Sequence, residues 1–341
     1  PNNGINLITN SYSAPMKINS IDFGTKANAT VSFYNAGSYE EWAAQQSSTA
    51  NDAHGNPGQI TVCPKETGEE AQNIVTIPAG QSFFITAKAD KAEVIFKYED
   101  LSFNPSSRMF LPGEPVSRFN ILGIEVKGYK KSDRLVLMEC ESCSRQYNNG
   151  YDGYKMPGDE GLPQIYAYNK FGNTAVNADS TFNKQYVGFA AGNDDETYTL
   201  SFETDKLFGY HSLYLTDRKL NETVDILAGE TYSFKGYTVG ENMRFQITGV
   251  TEEEWQNMMN GDDDDDEENS CDLRVINNTL YVQEFAATHY PAANIEIYDM
   301  TGNLVWSTPL TTERLYTLPT LPQTIYTIRL GDCHVKYAVC H

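Results

Sequence analysis

Residues 295–339 read IEIYDMTGNLVWSTPLTTERLYTLPTLPQTIYTIRLGDCHVKYAV, and they carry the clearest evidence for the class of fold. Ile295 and Ile297 alternate with polar residues, a turn signal (DMTGN) follows, and the alternation resumes at Leu304. Alternation places every second side chain on one face of a strand, and a Gly-containing turn between two such runs predicts a β-hairpin. With about seven strand-sized segments, residues 271–341 predict a small Ig-like β-sandwich.

The rest of the chain carries the same kind of pattern. Short apolar runs, bounded by Gly, Pro, Asn and Asp, recur without helix-length segments between them, which favours antiparallel sheets packed face to face. The chain is therefore predicted to be all-β, with two antiparallel, jelly-roll-like β-sandwich domains ahead of the Ig-like module. The predicted strands are 29–34, 59–63, 73–77, 82–87 and 92–98, then 119–126, 134–138, 164–168, 185–189, 197–202, 212–215, 232–236 and 243–248.

A pause in the strand pattern and a run of acidic residues suggest the domain boundaries. The strand pattern pauses at PGEP (112–115), and the run GDDDDDEE (261–268) cannot fold because like charges repel and bury nothing. Thr251 followed by Glu254 is a capping box that predicts one helical turn just before this run. The predicted organisation is a β-sandwich at 1–112, a second at 113–250, an acidic linker at 251–270 and the Ig-like module at 271–341.

Charge excludes some classes of partner. The 341-residue chain carries a net charge of −21, and such a field repels phosphate backbones and anionic lipid, so nucleic acid is not an expected partner. The sequence contains no apolar run of about 18 residues, so no transmembrane segment is predicted. Pro1 opens directly onto polar, strand-like sequence, which favours a piece of a longer protein over a chain whose signal peptide was removed.

Catalytic and redox signatures are weak. The sequence contains no HExxH, GxSxG, P-loop or GxGxxG arrangement, and its five histidines are scattered, so no catalytic residues and no enzyme activity are expected. Cys140-x-x-Cys143 has redox or zinc spacing but no second CxxC, which favours a structural disulfide or plain thiols. Cys333 and Cys340 lie about 23 Å apart on an extended strand, so Cys271 is the better partner for one of them.

The Gly/Asn/Asp-rich loop at 147–161 (YNNGYDGYKMPGDEG) carries the candidate binding residues. Tyr147, Tyr151 and Tyr154 cluster there and could stack on sugar rings, although loop packing is the alternative. Asp152, Asp159 and Glu160 supply the hard oxygens that Ca²⁺ prefers, although the acids could simply keep the turn hydrated. No other cofactor is expected.

The last module carries a further pattern in Asp299, Gly302, Leu321, Pro322, Tyr326, Gly331 and Lys336. These residues resemble the C-terminal sorting domain of the type IX secretion system of Bacteroidetes. Upstream, IPAGQSFF (77–84), GYDGYK (150–155) and the segment 213–227 followed by YSF (232–234) and RF (244–245) resemble the regions that precede such domains.

The resemblance implies the C-terminal part of a secreted, non-enzymatic surface protein, exported through a signal peptide to the extracellular side of the outer membrane. Residues 271–341 would be the sorting signal, recognised by the outer-membrane secretion machinery, and the sandwiches would be scaffold. The alternative is a carbohydrate-binding or adhesin role, with a glycan or a host surface protein as partner. The two roles differ in whether the sandwich loops bind a ligand.

Overall fold

The computed structural model describes residues 4–37, 57–102, 119–129, 131–254, 256, 273–276, 279–282, 293–299, 301–311, 315–322, 325–331 and 333–338. The chain divides into two compact units, Pro1–Gly249 and Val250–His341. Strands make up 52% of the structure and helices 6%, which confirms the predicted all-β class. The predicted boundary between residues 112 and 113 lies outside the described residues and stays a prediction.

A four-stranded sheet forms the beginning of the first unit. Its order is β1 (Ile5–Thr9), β6 (Ser82–Thr86), β3 (Thr30–Tyr34) and β4 (Ile60–Pro64), and a two-stranded ribbon of β2 (Met16–Lys17) and β5 (Thr76–Ile77) lies beside it. A short helix, α1 (Gly68–Gln72), follows β4. The buried side chains of this part, including Val31, Phe33, Phe83 and Ile85, form one core.

The predicted strand at 92–98 is wrong. Only Ile95 makes a ladder contact there, an isolated bridge with Asp22, and Tyr98–Asp100 forms a 3-10 helical turn. Val94 and Phe96 pack against the core although Ile95 is 49% exposed, so the alternation is real but no neighbouring strand pairs with it. An alternating pattern of side chains does not by itself provide a neighbouring strand with which to form backbone hydrogen bonds.

The larger part of the first unit is an eleven-stranded sheet within the described residues. Its order is β15-β14-β17-β12-β10-β11-β8-β7-β13-β16, with β9 paired to β11. The strands are β7 (Asn120–Lys127), β8 (Ser132–Glu139), β9 (Gly153–Tyr154), β10 (Gln164–Ala167), β11 (Thr174–Asp179), β12 (Gln185–Ala190), β13 (Glu196–Lys206), β14 (Tyr210–Asp217), β15 (Glu222–Asp225), β16 (Tyr232–Gly236) and β17 (Glu241–Thr251).

This sheet curls so that distant strands share one core. Leu135 of β8, Ile165 of β10, Phe234 of β16 and Phe245 of β17 belong to the same buried cluster. Phe234 and Phe245 meet edge to face, with ring centroids 5.1 Å apart. Burial of such aromatic side chains supplies most of the stabilising free energy in a sandwich core.

One pairing departs from the predicted antiparallel arrangement: β8 and β11 run parallel. The chain between them is long enough for the crossover that a parallel pair requires. Gly153 of β9 lies in this crossover, where a Cβ atom would clash with the Val62 side chain of β4. The glycine therefore permits a close approach between the large sheet and the four-stranded sheet within the first unit.

The second unit begins at the predicted capping box. Thr251 Oγ1 accepts a hydrogen bond from the Glu254 N–H (3.1 Å), and Glu254 Oε2 accepts one from the Thr251 N–H (2.8 Å). This reciprocal pair confirms the predicted helix start. The acidic run at 261–268 lies outside the described residues, as do Cys271 and Cys340.

Two antiparallel sheets form the C-terminal module. One contains β18 (Leu273–Ile276), β19 (Thr279–Val282) and β22 (Leu315–Thr317), and the other has the order β21 (Leu304–Pro309), β20 (Asn294–Tyr298), β23 (Ile325–Leu330) and β24 (Cys333–Ala338). Leu280 from the first sheet and Ile297 and Ile328 from the second share one core. Two sheets with a common core match the predicted small sandwich.

None of the helices in the described ranges is long and apolar enough to cross a membrane.

Candidate functional site

The loop that follows β8 is held against the sheet by Asp152. This carboxylate is fully buried: Oδ1 accepts the Ala178 N–H (2.6 Å), and Oδ2 accepts the Asn148 N–H (2.6 Å) and side-chain amide (3.2 Å). Burial raises the pKa of Asp152 to about 7, because the loss of hydration outweighs the N–H donors that favour the charged form. Asp152 therefore fixes the course of the loop over β11.

The structure brings two of the three candidate tyrosines together. The rings of Tyr147 and Tyr154 stack with centroids 4.1 Å apart and planes within 6°. The Tyr147 hydroxyl donates to the Asp152 carbonyl oxygen (3.1 Å), and burial raises the pKa of this hydroxyl. One face of each ring is therefore covered by the other ring, and both side chains are half-buried.

Tyr151 has different surroundings. Its ring packs against a cluster that includes Val136, Met138 and Val176, and its carbonyl oxygen accepts a hydrogen bond from the Thr67 hydroxyl (2.7 Å). The Tyr151 contacts thus join the loop to α1 and to the sheet.

The three candidate calcium ligands have separate roles. Asp152 is buried and bound to N–H groups, whereas Asp159 is exposed and accepts a hydrogen bond from the Tyr34 hydroxyl (2.8 Å). Glu160 is exposed. Within the described ranges, no group of three or more His, Cys, Asp or Glu side chains is arranged to hold a metal ion. Calcium binding here stays a prediction.

A cleft of about 330 Å³ lies beside this loop, and several polar side chains are among those that line it. Asn177 and Asp179 of β11 and Gln185 of β12 line it, and all three are buried. Asn177 Nδ2 donates to Gln185 Oε1 (3.4 Å), and Gln185 Nε2 donates to the Thr181 carbonyl oxygen (2.7 Å). These bonds hold the amide groups in defined orientations before any ligand arrives.

Arg145 and Asp179 form an ion pair in the cleft. Arg145 Nε lies 3.3 Å from Asp179 Oδ2, and the Arg145 side chain is 55% exposed whereas that of Asp179 is 4% exposed. Burial raises the pKa of Asp179, while hydrogen bonds from Ser180 and the nearby Arg145 charge partly oppose the rise. The exposed Arg145 guanidinium therefore places a positive charge in the cleft, next to the buried Asp179 carboxylate.

An aromatic wall completes the cleft. The Tyr168 N–H donates to the Tyr186 carbonyl oxygen (2.8 Å), which continues the β10–β12 ladder and places the two tyrosines opposite each other. Ala167 and Val187, their neighbours, face the main core, so both tyrosines project from the outer face. The Arg218 guanidinium lies 5.1 Å from the centre of the Tyr186 ring.

A disulfide joins Cys140 and Cys143 at the turn between β8 and the loop, with Cα atoms 5.2 Å apart. The Cys140 N–H donates to the Asp179 carbonyl oxygen (2.8 Å), which ties this turn to β11. Of the alternatives left open by the sequence, the disulfide is the one present. The disulfide therefore closes the turn next to the strand that carries Asp179.

The sorting-motif residues shape turns and core. Asp299 accepts hydrogen bonds from the Thr301 hydroxyl (2.7 Å) and from the Asn303 and Thr301 N–H groups (2.9 and 2.8 Å), and these bonds lower its pKa to about 2. Gly302 and Gly331 adopt positive φ values of 82° and 61° in the two hairpin turns.

Other members of the motif lie in or beside the module core. Leu321 and Tyr326 are buried there, and the Tyr326 hydroxyl donates to the Pro322 carbonyl oxygen (3.0 Å). The Lys336 side chain lies outside the described residues. The motif thus acts locally by specifying the module's turns and packing.

Sequence reasoning missed the cleft residues Arg145, Tyr168, Asp179, Lys184 and Tyr186. Tyr168 and Tyr186 fall in predicted strands at polar-face positions, which was the one available signal. The pairing of β10 with β12 that makes them neighbours is not visible in either strand alone.

Comparison with known proteins places the chain near one surface protein. It is 28% identical over 264 residues to the minor fimbrium subunit Mfa5 of Porphyromonas gingivalis, an alignment that covers 74% of this chain and 21% of that protein. The chain thus corresponds to about a fifth of the length of the relative. No family model matches the chain, and no solved structure matches it significantly.

Proposed function

We propose that this chain is part of a cell-surface, non-enzymatic adhesion subunit of the fimbrial type. The similarity to a minor fimbrium subunit of a Bacteroidetes bacterium carries the proposal. Two physical features support it: an acidic all-β chain is well suited to an exposed position, and the Cys140–Cys143 disulfide is typical of an oxidising compartment. The relative is a subunit of a fimbrium, which is an assembled surface structure, so other subunits are the first expected partners.

Adhesion by the purified chain tests this function. The chain is coupled to beads, and adherence is measured on epithelial cells and on immobilised fimbrial preparations, with albumin-coated beads as control. We expect adherence well above the control on at least one surface. Adherence no greater than that of albumin on every surface contradicts the adhesive role.

The finer proposal concerns residues 271–341, which would be the type IX sorting signal. Support comes from the motif residues and from their placement in turns and core, which gives the exporter one defined fold to recognise. Export would begin with a signal peptide, and the product would reach the extracellular side of the outer membrane. The proposed contact is with the outer-membrane secretion machinery.

A fusion tests the sorting role separately. Residues 271–341 are joined to an inert passenger that carries a signal peptide, in a bacterium that has the exporter. We expect the passenger in the medium or on the surface, and a matched fusion of residues 251–270 alone should stay in the periplasm. Retention of both fusions contradicts the sorting role.

A carbohydrate-binding role for the loop tyrosines is the alternative. The stacked, half-buried rings of Tyr147 and Tyr154 each have a second face, and rings of this kind bind sugars by stacking. A glycan array compares the native chain with Y147A, Y151A and Y154A variants. Binding lost in Y147A and Y154A supports the role, whereas unchanged binding points to other residues. No binding by the native chain leaves a host surface protein as the expected partner.

A further inference from the structure

We propose that the cleft lined by Arg145, Tyr168, Asp179, Lys184 and Tyr186 binds a terminal acidic sugar, one that carries a carboxylate or a sulfate. This inference rests on the proposed adhesive function and names its ligand class. The proposed sugar-binding site is therefore the cleft, which the sequence did not indicate, and not the tyrosines of the loop at 147–161.

The electrostatics of the cleft select an anion. Arg145, Lys170 and Lys184 bring three positive charges to its lining, and Asp179 brings one negative charge. The whole chain carries −21, so this is a local excess of positive charge on an acidic molecule. A recessed site of one sign concentrates ligands of the opposite sign. An extended polyanion would meet the acidic remainder of the surface, which favours a small anionic group.

The aromatic and amide side chains that line the cleft favour a sugar over an inorganic anion. Tyr168 and Tyr186 stand side by side on the outer face of the β10–β12 pair and present aromatic surface to the cleft. Asn177 and Gln185 also line the cleft, and beyond their bonds to Thr174, Thr181 and each other each amide keeps one N–H and one oxygen lone pair for a sugar hydroxyl. A volume of about 330 Å³ suits one terminal residue rather than a long oligosaccharide.

Lys184 brings one of these positive charges to the cleft from a turn residue in the left-handed conformation. Its φ is 60°, in the left-handed region where glycine is less strained, and its side chain is exposed at the cleft. Lys91 has nearly the same φ of 56° and is also exposed, but it lies outside the cleft. The two lysines therefore form a matched pair for an experiment.

The binding test uses sialyllactose, sulfated lactose, neutral lactose and inorganic sulfate with the intact 341-residue chain. Dissociation constants are measured by calorimetry at low and moderate salt. We expect at least one acidic sugar to bind about tenfold more tightly than lactose, because a contact to a charged group is stronger than a neutral one. Its affinity should fall with salt, and the two acidic sugars distinguish a carboxylate from a sulfate.

The variants K184G and K91G then locate the site. Each places glycine at a position with positive φ, where glycine is less strained than lysine, so both variants should keep or raise the melting temperature. We expect K184G to weaken binding of the acidic sugar by about tenfold and K91G to leave it unchanged. Equal affinity for lactose and the acidic sugars, sulfate binding as tight as that of the sugars, or unchanged binding in K184G overturns the inference.

The outcome is separable from the adhesive function. Beads that carry the native chain and the K184G variant are compared in the adherence assay. Adherence that survives in K184G overturns the cleft as the adhesive site while the surface function stands. Binding of an acidic sugar without adherence of the native chain supports the cleft and contradicts the wider role.

Discussion

The pairs Arg244–Asp217 and Arg145–Asp179 join the same side-chain types in different surroundings. Both aspartates are buried, with side chains 0% and 4% exposed, and the N–O distances are similar at 3.1 and 3.3 Å. The arginines differ: Arg244 is 2% exposed and Arg145 is 55% exposed. Exposure of the cation, rather than the pairing itself, separates a structural site from one that a ligand can reach.

The buried pair is almost fully satisfied. Arg244 donates to Asp217, to Glu241 Oε2 (2.9 Å) and to the Lys235 carbonyl oxygen (3.0 Å), and its guanidinium lies 4.3 Å from the centre of the Phe234 ring. The Tyr232 hydroxyl lies 3.0 Å from Asp217 Oδ2. The conspicuous YSF and RF segments thus serve the core of the sandwich.

The largest effect is expected from R244M. Removal of the cation leaves Asp217 buried beside apolar side chains, so the free energy of unfolding should fall by about 3–5 kcal/mol. Denaturant unfolding measures the change. The control is K235M, since the Lys235 side chain is 60% exposed in its pair with Asp195. A loss in R244M no larger than that in K235M contradicts the structural role of the buried pair.

A smaller loss is expected from R145M. Water reaches this arginine, and Asp179 keeps the Ser180 N–H (2.7 Å), so the unfolding free energy should fall by about 1.5–3 kcal/mol. The pKa of Asp179 should rise further, because the Arg145 charge opposes the effect of burial. Carboxyl NMR titration checks the direction of this change. A pKa that falls or stays constant would show that Arg145 does not act on this carboxylate.

Asp152 extends the comparison to a buried carboxylate held by N–H groups. Its folded pKa of about 7 exceeds the ordinary 3.8, so the folded state binds more protons between these values. The contribution of Asp152 to the free energy of unfolding should therefore be greatest below the lower value and be lost as pH rises through the upper one. Between the two values the fall should be about 1.4 kcal/mol for each pH unit. Denaturant unfolding at several pH values measures this slope.

The D152N variant is the control for that slope. Its amide does not titrate, so the dependence between about pH 4 and 7 should flatten even if overall stability drops. An unchanged slope in D152N assigns the pH dependence to another group.

The smallest effect is expected from D195A. Its ion pair with Lys235 is exposed on both sides, at 65% and 60%, so the free energy of unfolding should change by less than about 1 kcal/mol. A larger change would mean that exposure does not rank these ion pairs, and the contrast between Arg244 and Arg145 would lose its physical basis.

Strand positions were largely predictable because side-chain alternation is local. Every predicted strand between 119 and 248 has a counterpart among β7, β8, β10, β12, β13, β14, β16 and β17. The missed strand β11 reads TAVNAD, and all six residues are buried, so neither strand propensity nor alternation marks it. That strand carries Asn177 and Asp179, and its absence from the prediction concealed the cleft.

The candidate site was predictable only in part. The sequence placed three tyrosines in one loop, but the stacking of Tyr147 on Tyr154 and the packing of Tyr151 elsewhere depend on the surrounding sheet. It also grouped Asp152 with Asp159 and Glu160, although burial gives Asp152 a different environment. Proximity along a loop does not decide the direction in which each side chain points.

Local sequence patterns and composition were enough to predict the all-β class, the turns of the C-terminal module and the acidic character of the chain. Each depends on residues within a few positions of one another or on composition. Which arginine is buried, which tyrosines are neighbours and where positive charge collects became visible only once the strands were packed together. Those features depend on the register between strands that are distant in the chain, and burial then sets the strength of every charge interaction.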